Sequence, residues 1–197
     1  MRSYVVFIVT LTFALALLSG CGGGGAQAVV RIVGTLLDNG SLQPIEDARV
    51  VASGVSGTTD ANGAFDVAEV PAGGTVTFAA TGYQNLVVTL TGRSGEVDLG
   101  DLYMTPTPIA GTGIVTGTVS EVGGGQADEA TVTSGDRTAL TREDGSYTLY
   151  NVPSGYQKVR ALSHDRSTRA TVYVTVVAED EVTADLQLGI YPPDEPW

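Results

Sequence analysis

Thr59-Asp60-Ala61-Asn62-Gly63-Ala64-Phe65-Asp66-Val67 decides how this chain is read, because its pattern returns as Thr141-Arg142-Glu143-Asp144-Gly145-Ser146-Tyr147-Thr148-Leu149. In each copy a polar run closes on a glycine and an aromatic residue follows two places later. Glycine adopts the positive φ of a tight turn at no steric cost, so both copies predict a hairpin turn followed by a strand. Phe65 and Tyr147 are then expected to point into a core. Outward from the turns, the same signposts flank both copies. Val33-Gly34-Thr35-Leu36, Ala48-Arg49-Val50 and Val70-Pro71-Ala72-Gly73 in the first answer to Thr116-Gly117-Thr118-Val119, Ala130-Thr131-Val132 and Val152-Pro153-Ser154-Gly155 in the second. Between Ala48 and Gly73 the offset is a constant 82 residues, the mark of an internal repeat. Pro71 and Pro153, which lack an N–H, are expected where a strand ends.

Inside each copy apolar residues alternate, as in Val30, Ile32, Gly34 and Leu36, in Val76, Phe78 and Ala80, and in Leu86, Val88 and Leu90. The second copy has Val172, Val174 and Val176, then Ala184, Leu186 and Leu188. Alternation at period two places one face of each strand in a core. Val and Thr recur, while no run of Lys, Glu and Leu holds a 3.6-residue period. The fold class predicted is all-β: two tandem small antiparallel β-sandwiches, about seven strands each. The boundaries expected are a first sandwich over 29–105, a linker over 106–112 marked by the alternate prolines Pro106 and Pro108, a second sandwich over 113–191 and a proline-rich tail over 192–197.

The order Gly-Thr-apolar, Ala-x-Val, Thr-x-x-x-Gly-x-aromatic, Val-Pro-x-Gly resembles the carboxypeptidase regulatory-like domain family, which has a transthyretin-like sandwich close to Cna-B-type domains. The resemblance runs twice through the chain. It implies accessory modules that stabilise, space or present other domains, some relatives touching glycans or protein partners. Asp38, Pro44 and Ala48 follow the family's first loop, whereas Glu121 to Glu129 in the second copy lacks the proline.

At the N-terminus Arg2 precedes an apolar run from Tyr4 to Leu18, shorter than the roughly 20 apolar residues of a spanning helix. Leu18-Ser19-Gly20-Cys21 then resembles the lipobox of bacterial lipoproteins. Residues 1–20 therefore read as a signal helix removed on export, Cys21 as the lipidated residue, and 21–28 as a Gly-rich tether. Cys21 is the sole cysteine, so no disulfide can form within the chain. Two or three acyl chains anchor firmly where one would not. The expected location is the outer membrane where a cell has two, because Gly22 replaces the Asp that retains many lipoproteins at the inner one.

Ten basic and 22 acidic residues give a formal charge of −12, a poor match for nucleic acid. His164 is the only histidine, so a clustered-histidine zinc site cannot be assembled; a Ser-His hydrolase of the usual kind would need that same His164 beside an activated Ser, and no Gly-x-Ser-x-Gly turn leads into a helix, so His164 is expected at a loop or strand end. The carboxylates Asp60, Asp66, Glu143 and Asp144 sit at turns without a substrate cleft or a following bidentate Glu. Gly111 to Gly117 lacks the helix that a nucleotide loop needs. Lys158 is the only lysine and lies late in the second copy, which argues against an internal Lys–Asn cross-link. The reading is non-enzymatic, with no cofactor and no metal: a structural, spacer or protein-interaction module of the cell envelope, held to a membrane through lipid on Cys21. The second reading is carbohydrate binding through exposed rings, with Tyr83, Tyr150 and Tyr156 as the contacts and Tyr173, Tyr191 and Trp197 as further candidates.

Overall fold

The computed structural model describes residues 28–90 and 94–190; Cys21, the expected signal segment over 1–20, Tyr191 and Trp197 lie outside them. The described chain is all-β, with no helix among these residues. Seven strands make the first sandwich: β1 (Val29–Asp38), β2 (Arg49–Ala52), β3 (Val55–Thr58), β4 (Ala64–Pro71), β5 (Gly74–Ala79), β6 (Leu86–Leu90) and β7 (Gly95–Met104). One sheet has the order β4-β1-β7 and the other β3-β2-β5-β6.

The second sandwich repeats this plan with β8 (Thr112–Ser120), β9 (Thr131–Ser134), β10 (Arg137–Leu140), β11 (Ser146–Pro153), β12 (Gly155–Leu162), β13 (Arg169–Val176), β14 (Glu181–Thr183) and β15 (Leu186–Gln187). Its sheets run β11-β8-β14, with β15 also on β8, and β10-β9-β12-β13. Each sandwich closes its own apolar core. Ile32, Leu36, Val50, Phe65, Phe78 and Met104 belong to one; Val115, Val119, Val132, Tyr147, Leu149 and Leu188 belong to the other.

The alternation read from sequence places Val30, Ile32 and Leu36 inward, and likewise Ala184, Leu186 and Leu188. β4 and β11 end on Pro71 and Pro153. Two features depart from the expectation. Each first strand takes its last strand as a parallel neighbour, β7 on β1 and β14 with β15 on β8, inside an otherwise antiparallel arrangement. The glycine turn is also not a hairpin: it carries the chain from β3 in one sheet to β4 in the other, and from β10 to β11 in the second copy. Asp60 N donates to Ala64 O at 2.9 Å and Gly63 N to Asp60 O at 2.9 Å, with Gly63 at φ 71°. Gly145 repeats the geometry at φ 73°. A Cβ on Gly63 would stand 2.4 Å from Leu36 O, and one on Gly145 2.6 Å from Val119 O, so close approach as well as φ demands glycine at both positions.

The threonine that opens each motif has a second duty. Thr59 Oγ1 is buried, donates to Ile45 O at 2.6 Å and accepts from Ala48 N at 2.9 Å. Thr141 Oγ1 does the same with Ala127 O at 2.6 Å and Ala130 N at 2.8 Å. Both hydroxyls pin the loop before β2 or β9 to the glycine turn. The aromatic residues sit over small neighbours. A Cβ on Gly34 would meet Phe65 and Gly100 O, each at 2.7 Å, and one on Gly117 would meet Ala184 O at 2.1 Å and Tyr147 at 3.2 Å, so the glycine of the Gly-Thr signpost leaves space for a neighbouring backbone carbonyl as well as for the ring.

Candidate functional site

Three places in the described chain gather chemistry, and the first lies where the two sandwiches meet. Asp38 ends β1, and its Oδ1 accepts from Gly40 N at 2.8 Å, Ser41 N at 2.6 Å and Ser41 Oγ at 3.0 Å, an Asx-type turn that shapes the β1–β2 loop. That loop reaches the second sandwich. Arg142 Nη2 donates to Asn39 O and to Asn39 Oδ1, each at 2.8 Å, Asn39 Nδ2 donates to Tyr150 Oη at 2.8 Å, and Leu140 N donates to Gly40 O at 3.1 Å. The Arg142 guanidinium lies 6.0 Å from the Tyr103 ring centre, at the limit of a cation–π contact.

The connecting segment is held on both sides. Gln84 N donates to Thr105 O at 2.9 Å and Thr107 N to Gly82 O at 2.8 Å, so the segment around Pro106 runs paired beside Tyr83. On the other side Asn151 stands at a bulge of β11 with φ 57°, a conformation Asn tolerates better than most residues. Its Oδ1 accepts from Ile109 N at 3.0 Å and its Nδ2 donates to Thr107 O at 3.1 Å. The matching bulge in the first sandwich carries Glu69 at φ 59°, so the fold asks for the bend and the linker asks for the amide.

Between these contacts opens a cleft of about 350 Å³ lined by Asp38, Tyr83, Asp136, Arg137, Tyr150 and Asn151 among others. Two of the three tyrosines picked out from sequence, Tyr83 and Tyr150, therefore share one wall system, half-buried. Burial and the Asp38 carboxylate push the Tyr83 hydroxyl up to about 12, and burial raises that of Tyr150. Both stay neutral phenols near neutral pH. Arg137 Nε donates to Asn151 O at 3.0 Å, which fixes the guanidinium at the cleft wall.

Tyr156 stands apart, on the outward face of the β10-β9-β12-β13 sheet. Its ring stacks on that of Tyr173 with centroids 5.4 Å apart and planes 6° from parallel, and both are exposed, at 73% and 52%. Tyr156 pairs with Thr175 while Tyr173 pairs with Lys158, so the rings meet along a diagonal of the ladder. Lys158 thus faces outward, away from the core.

The remaining singled-out residues are at the surface. His164 is exposed and its Nδ1 lies 3.0 Å from Glu129. Asp60 Oδ1 accepts from Asn62 N and Ala64 N within its own turn, and Asp66 pairs with Arg31 across exposed surface. Hydrogen bonds from Ser146 hold the Asp144 carboxyl below its usual value, again within a turn. Among the described residues no three His, Cys, Asp or Glu side chains form a group able to hold a metal ion. Sequence reasoning passed over Asn39, Arg142 and Asn151. Asn151 had a signal, an Asn before the Val-Pro signpost where the first copy has Glu69, but its partner segment could not be read from either copy alone.

No family model matches the chain, and no curated protein matches it. Solved structures offer distant likenesses. The TIE protein of Bacillus anthracis is 13% identical over 82% of this chain with a TM-score of 0.31, and the chain spans 34% of its length. A chain of a type II cohesin–X–dockerin complex from Acetivibrio cellulolyticus is 18% identical over half of this chain and 65% of its own, with a TM-score of 0.36. The minor pilin of Streptococcus agalactiae is 12% identical over 85% of this chain and 99% of its own, with a TM-score of 0.33. At such values the strand order described above, and not the likeness, defines the fold.

Proposed function

We propose that the chain is a cell-envelope lipoprotein, anchored by lipid on Cys21, whose two carboxypeptidase regulatory-like domains, 29–105 and 113–191, form a non-catalytic spacer or protein-interaction module. The observation that carries this reading is the fastening of the two sandwiches. The β1–β2 loop of one grips β10 and β11 of the other through Asn39, Gly40, Leu140, Arg142 and Tyr150, and Asn151 ties down the connecting segment. A chain selected only to bind through one face would have little use for a connection held at both ends. A stiff pair standing on a flexible glycine tether suits a part that holds something at a set distance from a membrane. In a cell with two membranes the outer one is the expected host.

The test is fractionation. Cys21→Ala should move the protein from membranes to the soluble fraction, with the melting transition of the soluble form intact. Retention in membranes would refute lipid anchoring.

A second reading, carbohydrate binding, draws support from the stacked and exposed Tyr156–Tyr173 pair. Tyr83 and Tyr150 support it less, because Tyr150 holds Asn39 and both rings are half-buried beside the connecting segment.

A further inference from the structure

The two sandwiches share a plan, so one serves as a control for the other. Val50 of β2 pairs with Phe78 of β5, and its repeat counterpart Val132 of β9 pairs with Ala161 of β12. Counting along the strands from these anchors, Lys158 and Arg160 of β12 occupy the places of Thr75 and Thr77 in β5. Across the ladder Val76 pairs with Val88 and Val159 with Val172, so Tyr173 occupies the place of Thr89. Along this register Tyr156 falls on Gly73, one residue off the offset that matches Gly73 to Gly155, so the second copy has one residue more between the Val-Pro-x-Gly signpost and the shared ladder. The sandwich is therefore built without these rings and cations in its first copy, and folding does not require them in the second.

The ladder registers place on the outer face of β10-β9-β12-β13 the residues Thr131, Thr133, Thr138, Thr171 and Thr175, Leu140 and Leu162, Tyr156 and Tyr173, and the cations Lys158, Arg160 and Arg169. None of the twelve is acidic, in a chain that has 22 acidic residues and a net charge of −12. Arg160 and Arg169 already hold other partners, so Lys158 and the two rings are the contact groups of this face.

We infer that this face binds an anionic polysaccharide, of the uronate class, with a sugar ring laid against the outer side of the tyrosine stack and a carboxylate directed to Lys158. The inference rests on the carbohydrate reading and narrows it to a charged ligand and to one sheet. An aromatic platform offers the apolar face that a pyranose covers, and a cation beside it distinguishes an acid sugar from a neutral one. The threonine-lined sheet face suits an extended chain of repeated units better than a single small molecule. In an acidic protein, a face without acids that carries three cations is where a polyanion can approach with least like charge; the matching face of the first sandwich also lacks acids but offers Arg49 alone.

The test uses the full chain carrying Cys21→Ser and three probes: polygalacturonate, its fully methyl-esterified form, and phosphatidylglycerol vesicles. The expected result is binding to polygalacturonate that falls as salt rises, with the methyl ester at least about tenfold weaker. Tyr173→Thr and Lys158→Thr, each of which restores a first-copy residue, should weaken it roughly tenfold at an unchanged melting temperature. Equal binding of the charged and esterified polymers would overturn the anionic assignment while leaving carbohydrate binding standing. Binding unaffected by Tyr173→Thr would overturn the site. Binding to vesicles but to neither polymer, or to none of the three probes, would overturn this inference, and the carbohydrate reading would fall with it only if a panel of neutral glycans also failed to bind.

Discussion

The hydroxyls of Thr59 and Thr141 each satisfy a buried N–H and a buried C=O within one loop, so a valine of similar shape would leave the N–H of Ala48 or Ala130 without a partner. Such a loss costs about 1–3 kcal/mol. Thr59→Val and Thr141→Val should each lower stability by that amount in denaturant titrations, while Ser at either position should lower it less. Tyr147 carries a further buried hydroxyl. Its hydroxyl donates to Ala184 O at 2.5 Å, and burial with Asp185 nearby raises its pKa above the ordinary phenol value of 10.0. The sign follows from which form the fold favours. A raised pKa means that the native state holds the neutral phenol, so its contribution is complete below the unfolded value of about 10 and is lost as pH climbs through the folded value. Tyr147→Phe should flatten the alkaline decline of the unfolding midpoint above about pH 10. Tyr83, held up to about 12, should leave part of that decline in place. Identical slopes in the variant and the parent would count against the assignment.

Among the elements, the glycine turn shows what the sequence could and could not disclose. The motif Thr-x-x-x-Gly-x-aromatic located the turn, the inward ring and the strand that ends at proline, because each follows from local stereochemistry. It could not disclose that the turn crosses between sheets, since a change of sheet depends on which strands pair, not on the turn residues. The parallel placement of β7 on β1 was hidden for the same reason: Gly95 to Met104 alternates in the same way whichever direction its neighbour runs. Of the candidate tyrosines, Tyr156 and Tyr173 are 17 positions apart in sequence and meet only through the β12–β13 register, which the sequence leaves open. The turn gives a clear prediction. Gly63→Ala and Gly145→Ala each add a Cβ at positive φ against a backbone carbonyl, and each should cost more than about 1 kcal/mol. Gly125→Ala, whose Cβ would meet nothing within 4 Å, should change stability by less than about 0.5 kcal/mol. Thermal unfolding of the three variants checks this, and a large loss at Gly125 would show that space is not the deciding factor.

For the whole molecule the question is whether the two sandwiches move as one body. The hydrogen bonds described from the β1–β2 loop to the second sandwich involve Asn39 or Gly40, and Gly40 is buried there with room for no side chain: a Cβ would lie 2.9 Å from Thr148 O and 3.2 Å from the Tyr150 ring. The linker contacts through Asn151 act in parallel, so either set alone should limit the hinge and weakening both should loosen it. Arg142→Ala takes away two of the four bonds described at this junction and the charge over Tyr103, leaving Asn39 Nδ2 on Tyr150 Oη and Leu140 N on Gly40 O, with both cores intact. Asn151→Gly keeps the backbone bend of β11 and removes the amide that holds Thr107 and Ile109. In the double variant, small-angle scattering should show a broader distribution of distances, and NMR relaxation should report two tumbling times where the parent has one. The buried threonine loops and both glycine turns are untouched, so the unfolding transitions should shift by no more than about 1–2 kcal/mol. A parent that already tumbles as two independent bodies would remove the mechanical basis of the spacer reading, whereas a rigid parent loosened only by the double variant would locate that stiffness in these two contacts.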